Sequence, residues 1–135
     1  MCEVGDIVKI FAPQAGHKKY HLCICVADEN NAAKFLYLNS DPTYDGTYIV
    51  ECERVPCIPP SDTGKTAFTF AIIVRYTDRQ RRLYQAEVLG RLDKVLAAEL
   101  YEFASSVRTL NARDRAMVLQ ALAARLIALS QGALA

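Results

Sequence analysis

The apolar residues of this chain follow one spacing in the first half and another in the second, and this change constrains the fold more than any other feature. In the first half, short runs rich in β-branched and aromatic residues are separated by turn-forming residues, which is typical of β-strands. We therefore predict strands at 4–13, 21–28, 34–40, 47–55 and 66–77, with turns at 28–31 and 40–46. From Asp93 onward, apolar residues recur every three or four positions, which predicts helices.

The second half is predicted to contain two main helices. Asp93 is a suitable N-cap for the first, in which the apolar residues are Val95, Leu96, Leu100 and Phe103. Asn111 begins the second helix, and Gly132 supplies a stop. The apolar stripe of this second helix consists of Leu119, Leu122, Leu126 and Leu129. Such a stripe either packs on the chain's own sheet and preceding helix or forms a helix-to-helix dimer seam.

The length of 135 residues suits a single domain, 1–135, with a core of its own. The pattern predicts a small, mostly antiparallel barrel or twisted sheet of about five strands over 1–79, followed by helices over 80–135. Lysine and arginine number 16 against 15 aspartates and glutamates, and this balance argues against a histone-like nucleic-acid binder. The sequence shows no secretory signal pattern and no apolar run of membrane-spanning length, so we expect a soluble, cytoplasmic protein without membrane contact.

The five cysteines are odd in number and irregularly spaced, which fits reduced thiols better than a disulfide framework. Cys23 and Cys25, with His17 and His21 nearby, are residue types that could together bind a metal ion. The paired spacing that characterises zinc sites is missing, however, and buried cysteine behaves as a small apolar residue. We therefore predict that these cysteines fill the core, with no metal and no cofactor.

The stretch PPSDTGKT, residues 59–66, resembles the phosphate-binding loop of nucleotide-binding proteins at Gly64, Lys65 and Thr66. Such a loop needs a glycine five positions before the Gly-Lys pair and a helix after it. Here Pro59 stands at that position, and the following residues are strand-like. The stretch is therefore predicted to be a turn between the fourth and fifth strands, from which Lys65 contacts a phosphate group of a ligand or faces water.

Three polar clusters are candidates for a functional site. The first is a predicted loop that combines cations, an aromatic ring and imidazoles, the groups that bind single-stranded nucleic acid, at His17, Lys18, Lys19, Tyr20 and His21. The second is the end of the third strand at Asn39, Ser40 and Asp41, where Ser40 could donate to a phosphate oxygen. The third is a basic run at 75–82, which begins near the end of the fifth strand and contains Arg75, Arg79, Arg81 and Arg82. Each cluster has an ordinary alternative as a solvated loop, a turn or a helix start.

Several of these stretches, in this order, resemble the MazF/PemK family of toxin endoribonucleases from bacterial toxin–antitoxin systems. VGDIV at 4–8 resembles the family's opening GDIV strand, and FLYLNS at 35–40 lies where the family has a strand ending in Thr-Ser. IVRYTD at 73–78 resembles the family's QIRTID, and VLGRLDKVLAAEL at 88–100 resembles IGRLS followed by a helix. The basic stretch that leads into HLCICV resembles the family's arginine-containing loop and second strand. The resemblance spans about the first hundred residues.

The resemblance implies an SH3-like barrel, a homodimer, an antitoxin partner and metal-independent cleavage of single-stranded RNA. It also implies catalysis by a cation in the first loop and a Ser or Thr at the end of the third strand, which Ser40 matches. Where the family reads Arg-Pro before the second strand, this chain has Tyr20 and His21. The nearest positively charged side chains are therefore Lys18 and Lys19.

We accordingly predict a toxin-like endoribonuclease. The catalytic residues are predicted to be Lys19, His21 and Ser40, and the RNA-binding residues to be His17, Lys18, Tyr20, Lys65, Arg75 and Arg79. The alternative is a non-catalytic SH3-like module that binds a protein or a nucleic acid through the long C-terminal helix.

Overall fold

The computed structural model describes residues 2–26, 31–40 and 45–134, with side chains described up to residue 130. It confirms a mainly antiparallel β structure followed by helices. The strands are β1 (Asp6–Ala12), β2 (His17–Cys25), β3 (Ala32–Asn39), β4 (Thr47–Glu51), β5 (Lys65–Thr77) and β6 (Glu87–Arg91). The helices are α1 (Asp78–Leu83), α2 (Lys94–Ser105) and α3 (Ala112–Leu134), and a 3₁₀ turn occupies Cys52–Arg54. The predicted turn at 28–31 and loop at 40–46 fall largely outside the described residues, at 27–30 and 41–44.

The strands of the described residues form one curled sheet in the order β4-β5-β3-β2-β1-β6, with antiparallel pairing throughout. The sheet has six strands rather than the predicted five, and β6 lies beyond residue 79. β6 escaped prediction because it is short, carries Gly90 and places none of its side chains fully in the core. It pairs with β1, where Arg91 Nε lies 3.0 Å from a carboxylate oxygen of the buried Asp6.

One face of the sheet is covered by α2 and α3, and the main core lies between this face and the two helices. Its largest buried side chains come from strands and helices alike, among them Ile7, Leu22, Leu36, Phe68, Phe70, Leu96, Leu100 and Leu122. Leu119 and Leu126 also pack against this core. Most of the leucine stripe of α3 is thus used within the chain, as the first of its two alternatives predicts.

The opposite face of the sheet carries a second, smaller core. It contains Val8, Ile10, Cys23, Phe35, Val74 and Tyr76. The His21 ring packs against the rings of Phe35 and Tyr76. Burial raises the pKa of the Cys23 thiol to about 12, in keeping with a cysteine that serves as a core residue. All five cysteines are free thiols in the structure. Of the described helices, none has the length and apolar character needed to span a bilayer.

The helix ends follow the predicted capping in part. The Asp93 side chain accepts a hydrogen bond of 2.8 Å from Leu96 N, and Asn111 accepts one of 2.8 Å from Asp114 N. The predicted stop at Gly132 is wrong, because α3 continues through this residue to Leu134. A glycine costs a helix only about 1 kcal/mol relative to alanine, so a single glycine does not by itself end one.

Candidate functional site: a basic cavity at the ends of β2, β3 and β5

The stretch predicted as the first basic loop is the first half of β2. Strand β2 begins at His17 rather than at residue 21, because residues 17–20 pair with β1, with Lys19 opposite Ile10 and Tyr20 opposite Lys9. The turn between the two strands is confined to 13–16, where Gly16 has a φ of +74°. The basic side chains are therefore held by a strand ladder rather than carried on a loop.

A surface cavity of about 320 Å³ lies where β2, β3 and β5 meet the proline-rich segment. We call it the β2–β3 cavity. Six residues that we predict to be functional line it, namely His17, Lys18, Lys19, Tyr20, Ser40 and Lys65. The structure therefore brings together groups that lie up to 48 positions apart in the sequence, from His17 to Lys65.

The turn at 61–64 fixes one wall of the β2–β3 cavity. Thr63 Oγ1 donates a 3.1 Å hydrogen bond to the Ser40 carbonyl oxygen, which ties this turn to the end of β3. Ser61 Oγ donates one of 2.8 Å to the Lys65 carbonyl oxygen, and Gly64 has a φ of +73°. The GKT stretch is therefore a turn that enters a strand, as predicted, and both Lys65 and Ser40 line the same cavity.

The three lysines of the cavity differ in the contacts that their ammonium groups make within the protein. The Lys65 ammonium pairs with the Glu51 carboxylate, and both side chains are about half exposed. Lys19 is half-buried, its ammonium donates to Asn39 Oδ1, and it lies 4.7 Å from the centroid of the Tyr37 ring. Burial lowers the pKa of the Lys19 ammonium below its ordinary value. Lys18 is exposed.

His17 is exposed at the mouth of the cavity, and one of its ring nitrogens forms a hydrogen bond within the protein. Its Nδ1 lies 2.8 Å from the Lys18 carbonyl oxygen, which can only accept, so Nδ1 carries the hydrogen. In the neutral ring, Nε2 then has a free lone pair and can take up a proton.

Comparison of the chain with protein-family models, curated proteins and solved structures gave no match.

His21 does not join the other predicted residues. Its side chain is fully buried in the smaller core, with ring centroids 5.0 Å from Tyr37 and 5.6 Å from Tyr76. Nδ1 donates 2.9 Å to the Lys19 carbonyl oxygen, and Nε2 lies 3.3 Å from the Tyr76 hydroxyl oxygen. Burial is the main cause that lowers the pKa of His21 to about 4; the nearby charge of Lys19 acts in the same direction, and the backbone hydrogen bonds of the ring oppose it. A histidine in this position does not reach a molecule in the cavity, so its predicted role in direct proton transfer does not fit the structure.

Arg75 and Arg79 also lie away from the cavity. Arg75 is exposed on β5 opposite Lys34, and Arg79 is exposed on α1. Two other arginines of the predicted basic run are engaged locally, since Arg81 donates 2.6 Å to the Tyr76 carbonyl oxygen and Arg82 pairs with Asp78. The basic run therefore lies on the end of β5 and on the capped helix α1, and it does not extend the β2–β3 cavity.

Sequence reasoning assigned no role to Ser61 and Thr66, which line the cavity. Asn39, which the sequence places in the candidate cluster at the end of the third strand, receives the hydrogen bond of Lys19 and donates one of 2.8 Å to Thr69 Oγ1. The signal available in the sequence was the density of small hydroxyl residues between Ser61 and Thr69, but which of them face a cavity depends on how the strands pair. Among the described residues, no group of three or more His, Cys, Asp or Glu side chains is arranged to hold a metal ion.

Proposed function

We propose that this chain binds single-stranded RNA in the β2–β3 cavity and cleaves it there without requiring a metal ion. The observation that supports the proposal is the convergence in one cavity of three lysines, an imidazole, a tyrosine and the Ser40 hydroxyl. Lysines pair with phosphates, and an aromatic ring stacks on unpaired bases. Tyr20 is the half-buried aromatic residue of this cavity, and Ser40 adds a hydroxyl donor at the end of β3.

The cavity offers the groups that an internal transesterification requires. In this reaction the ribose 2′-oxygen bonds to the adjacent phosphorus while the bond from phosphorus to the 5′-oxygen breaks. Neutral His17 Nε2 accepts the 2′-hydroxyl proton, and the Lys19 ammonium, with its lowered pKa, donates a proton to the departing 5′-oxygen. Lys18, Lys65 and the Ser40 hydroxyl stabilise the charge on the phosphate oxygens in the transition state. The products are a 2′,3′-cyclic phosphate and a 5′-hydroxyl.

The wider biological proposal depends on the resemblance of the segments from VGDIV to VLGRLDKVLAAEL. On that basis we place the activity in a toxin–antitoxin pair, in which the chain is a cytoplasmic homodimer that inhibits growth by cleaving mRNA and is bound by a cognate antitoxin.

Binding without cleavage is the second candidate function. It is favoured by the burial of His21, since this removes one of the three residues that the sequence predicts to be catalytic. The His21 ring donates to the Lys19 carbonyl oxygen but is buried. The imidazole in the lining of the β2–β3 cavity is that of His17. The long helix α3 has little part in this candidate, because Leu119, Leu122 and Leu126 already pack on the core of the chain.

Incubation with an unstructured, fluorescein-labelled RNA in excess EDTA tests the proposal. We expect cleavage to fragments with 2′,3′-cyclic phosphate ends, and no cleavage of a DNA oligonucleotide of the same sequence. His17→Ala should slow the single-turnover rate by about 10²-fold or more, and Ser40→Ala should slow it by about 10-fold or more, as expected for one hydrogen bond to a charged group. Lys94→Ala, which removes an exposed lysine of α2 outside the cavity, is the matched control and should leave the rate unchanged.

RNA binding without cleavage would establish the second candidate instead. Full activity in both the His17 and Ser40 variants would show that the site lies elsewhere, and a protein that neither binds nor cleaves RNA would refute the proposal.

A further inference from the structure

A second cavity, of about 220 Å³, adjoins the β2–β3 cavity. We call it the bulge cavity. The residues that matter for its chemistry are Gln14, Lys19, Tyr37, Thr69, Ala71 and Ile72. Lys19 and Asn39 line both cavities, so the two meet at this pair.

The bulge cavity exists because the pairing of β3 with β5 is interrupted. Leu36 pairs with Ile73, but the next residue, Tyr37, pairs with Thr69, so residues 70–72 have no partner position on β3. Phe70 turns into the main core, whereas Ile72 is turned outward and is 57% exposed. Bulges re-aim side chains and are frequent beside functional sites. This one places a large apolar side chain at the wall of a cavity that also contains a lysine.

The bulge cavity combines apolar walls with hydrogen-bond donors. The Tyr37 ring, Ala71 and Ile72 supply apolar surface. The Tyr37 hydroxyl donates 3.4 Å to Gln14 Oε1, so Gln14 presents its amide N–H₂ as a donor. The Lys19 ammonium has three N–H donors and Asn39 takes one of them, which leaves two for a ligand.

We propose that the bulge cavity binds a pyrimidine base, uracil in preference to cytosine, next to the phosphate held in the β2–β3 cavity. This inference rests on the proposed RNA binding. A strand whose phosphate lies beside Lys19 has its neighbouring nucleoside within reach of the adjoining cavity, because both cavities share that residue.

Size and polarity together select the base. The bulge cavity is smaller than the roughly 300–1,000 Å³ of sites for drug-sized ligands, which suits a single base better than a longer segment. Proteins read unpaired bases by stacking on the ring and by hydrogen bonds to its edges. Uracil carries two carbonyl acceptors that match the donors of Gln14 and Lys19, whereas cytosine replaces one of them with an amino donor.

The test is the affinity of non-cleavable, fluorescein-labelled 2′-O-methyl hexanucleotides of U, C and A, measured by fluorescence anisotropy at one salt concentration. The wild-type protein should bind the U hexamer more tightly than the C hexamer, and at least about fivefold more tightly than the A hexamer, as expected from roughly 1 kcal/mol of base recognition. Gln14→Glu retains the acceptor for Tyr37 but removes the N–H₂ donor, and Ile72→Asp removes the apolar wall. Both variants should bring the U-to-A affinity ratio close to one. Ile127→Asp is the matched control, since Ile127 is 58% exposed on α3 and lines neither cavity, and it should preserve the ratio.

If the wild-type protein binds the U hexamer no more tightly than the C hexamer or the A hexamer, the base assignment is overturned while RNA binding stays intact. A ratio that both cavity variants leave unchanged would also overturn it, and would place base recognition elsewhere. If the wild-type protein binds no hexamer, the proposed function fails and the base assignment fails with it, so the two failures give different results.

Discussion

Lys19 on β2 donates a hydrogen bond through its ammonium to the side-chain carbonyl oxygen of Asn39 at the end of β3. The Asn39 amide in turn donates 2.8 Å to Thr69 Oγ1 on β5. A chain of hydrogen bonds therefore crosses three strands and fixes the Lys19 ammonium where the β2–β3 cavity and the bulge cavity meet. A lysine held in this way loses less side-chain entropy on binding a phosphate than a lysine that is free in solvent.

The first prediction concerns the pH dependence that the Lys19 ammonium gives to RNA binding. Burial lowers the pKa of Lys19, so the ammonium becomes a neutral amine as the pH rises through this lowered value, before an exposed lysine would lose its charge. The affinity for a non-cleavable RNA should therefore begin to fall below the ordinary pKa of lysine. Lys19→Arg should keep the charge over the whole range and move this decline to higher pH, because a guanidinium remains protonated.

Anisotropy titrations between about pH 7 and pH 10 measure this effect. Lys18→Arg is the matched control, since Lys18 is exposed and its replacement should leave the decline where it is in the wild-type protein. If Lys19→Arg and the wild-type protein share one pH profile, Lys19 does not supply the charge that holds the phosphate.

The second prediction concerns the ion pair between Lys65 and Glu51. Glu51 competes with any phosphate for the Lys65 ammonium, and both side chains are about half exposed. Glu51→Gln should therefore raise the affinity for single-stranded RNA by about two- to fivefold, equivalent to the few tenths to 1 kcal/mol of an exposed ion pair. Lys65→Ala should weaken binding of all sequences alike and reduce the slope of log K against log salt by about 0.7.

The control for the Glu51 variant is Glu87→Gln, which removes the same charge from an exposed position on β6. Its effect on affinity should be smaller, because only long-range attraction changes. Equal gains from the two variants would show that net charge, and not release of Lys65, is responsible.

The sheet-plus-helix architecture and most element positions follow from the sequence, because apolar spacing and turn residues are local signals. β5 is an example: the run TAFTFAIIVRYT contains no breaker, and the strand occupies Lys65–Thr77. The start of β2 does not follow, because His17, Lys18 and Lys19 are polar and become strand residues through pairing with β1. The polar composition of these residues predicts a loop, but cross-strand pairing makes them part of the strand.

The candidate site could be predicted in its cations but not in its geometry. Lys19 and His21 are two positions apart on a strand, so their side chains leave the same face of the sheet. Whether that face is open at each position depends on distant partners: Tyr37, Tyr76 and Phe35 enclose His21, whereas Lys19 lies beyond them at the rim. Sequence spacing contains no information about this enclosure, which explains why His21 resembled a catalytic residue.

The third prediction concerns the stability that the neutral His21 gives to the fold. Its pKa is about 4 in the folded protein and about 6.5 in the unfolded chain, so between these values the unfolded state binds more protons. The free energy of unfolding should therefore fall as the pH drops from about 6.5 towards about 4, with a loss of about 2 kcal/mol between pH 7 and pH 5 from this residue. Below about pH 4 both states are protonated and this loss levels off.

Urea unfolding of the wild-type protein and of His21→Phe at the two pH values isolates this contribution from that of the carboxylates. Phenylalanine keeps an aromatic ring between Phe35 and Tyr76 but does not titrate, so the variant should be less stable at pH 7 and less sensitive to acid. An equal loss of stability in both proteins between pH 7 and pH 5 would contradict the assignment.

The fourth prediction compares two glycines that have nearly the same backbone conformation. Gly46 has a φ of +73° and Gly16 a φ of +74°, a region in which alanine is strained by about 1 kcal/mol or more. A Cβ on Gly46 would overlap the Thr109 hydroxyl and lie 2.9 Å from Thr109 Cβ, whereas a Cβ on Gly16 meets nothing within 4 Å.

Thr109 cannot move away from Gly46 without cost. Its hydroxyl donates 2.6 Å to the Phe70 carbonyl oxygen, and Phe70 N donates 2.8 Å to the Gly46 carbonyl oxygen, so the three residues connect the start of β4, the bulge of β5 and the segment before α3. Gly46→Ala should therefore reduce the free energy of unfolding by about 3 kcal/mol or more, the sum of strain and a broken buried contact, and Gly16→Ala by only about 1 kcal/mol. Chemical denaturation of the two variants measures the difference, and equal losses would show that the contact with Thr109 contributes nothing beyond the conformational strain that both glycines share.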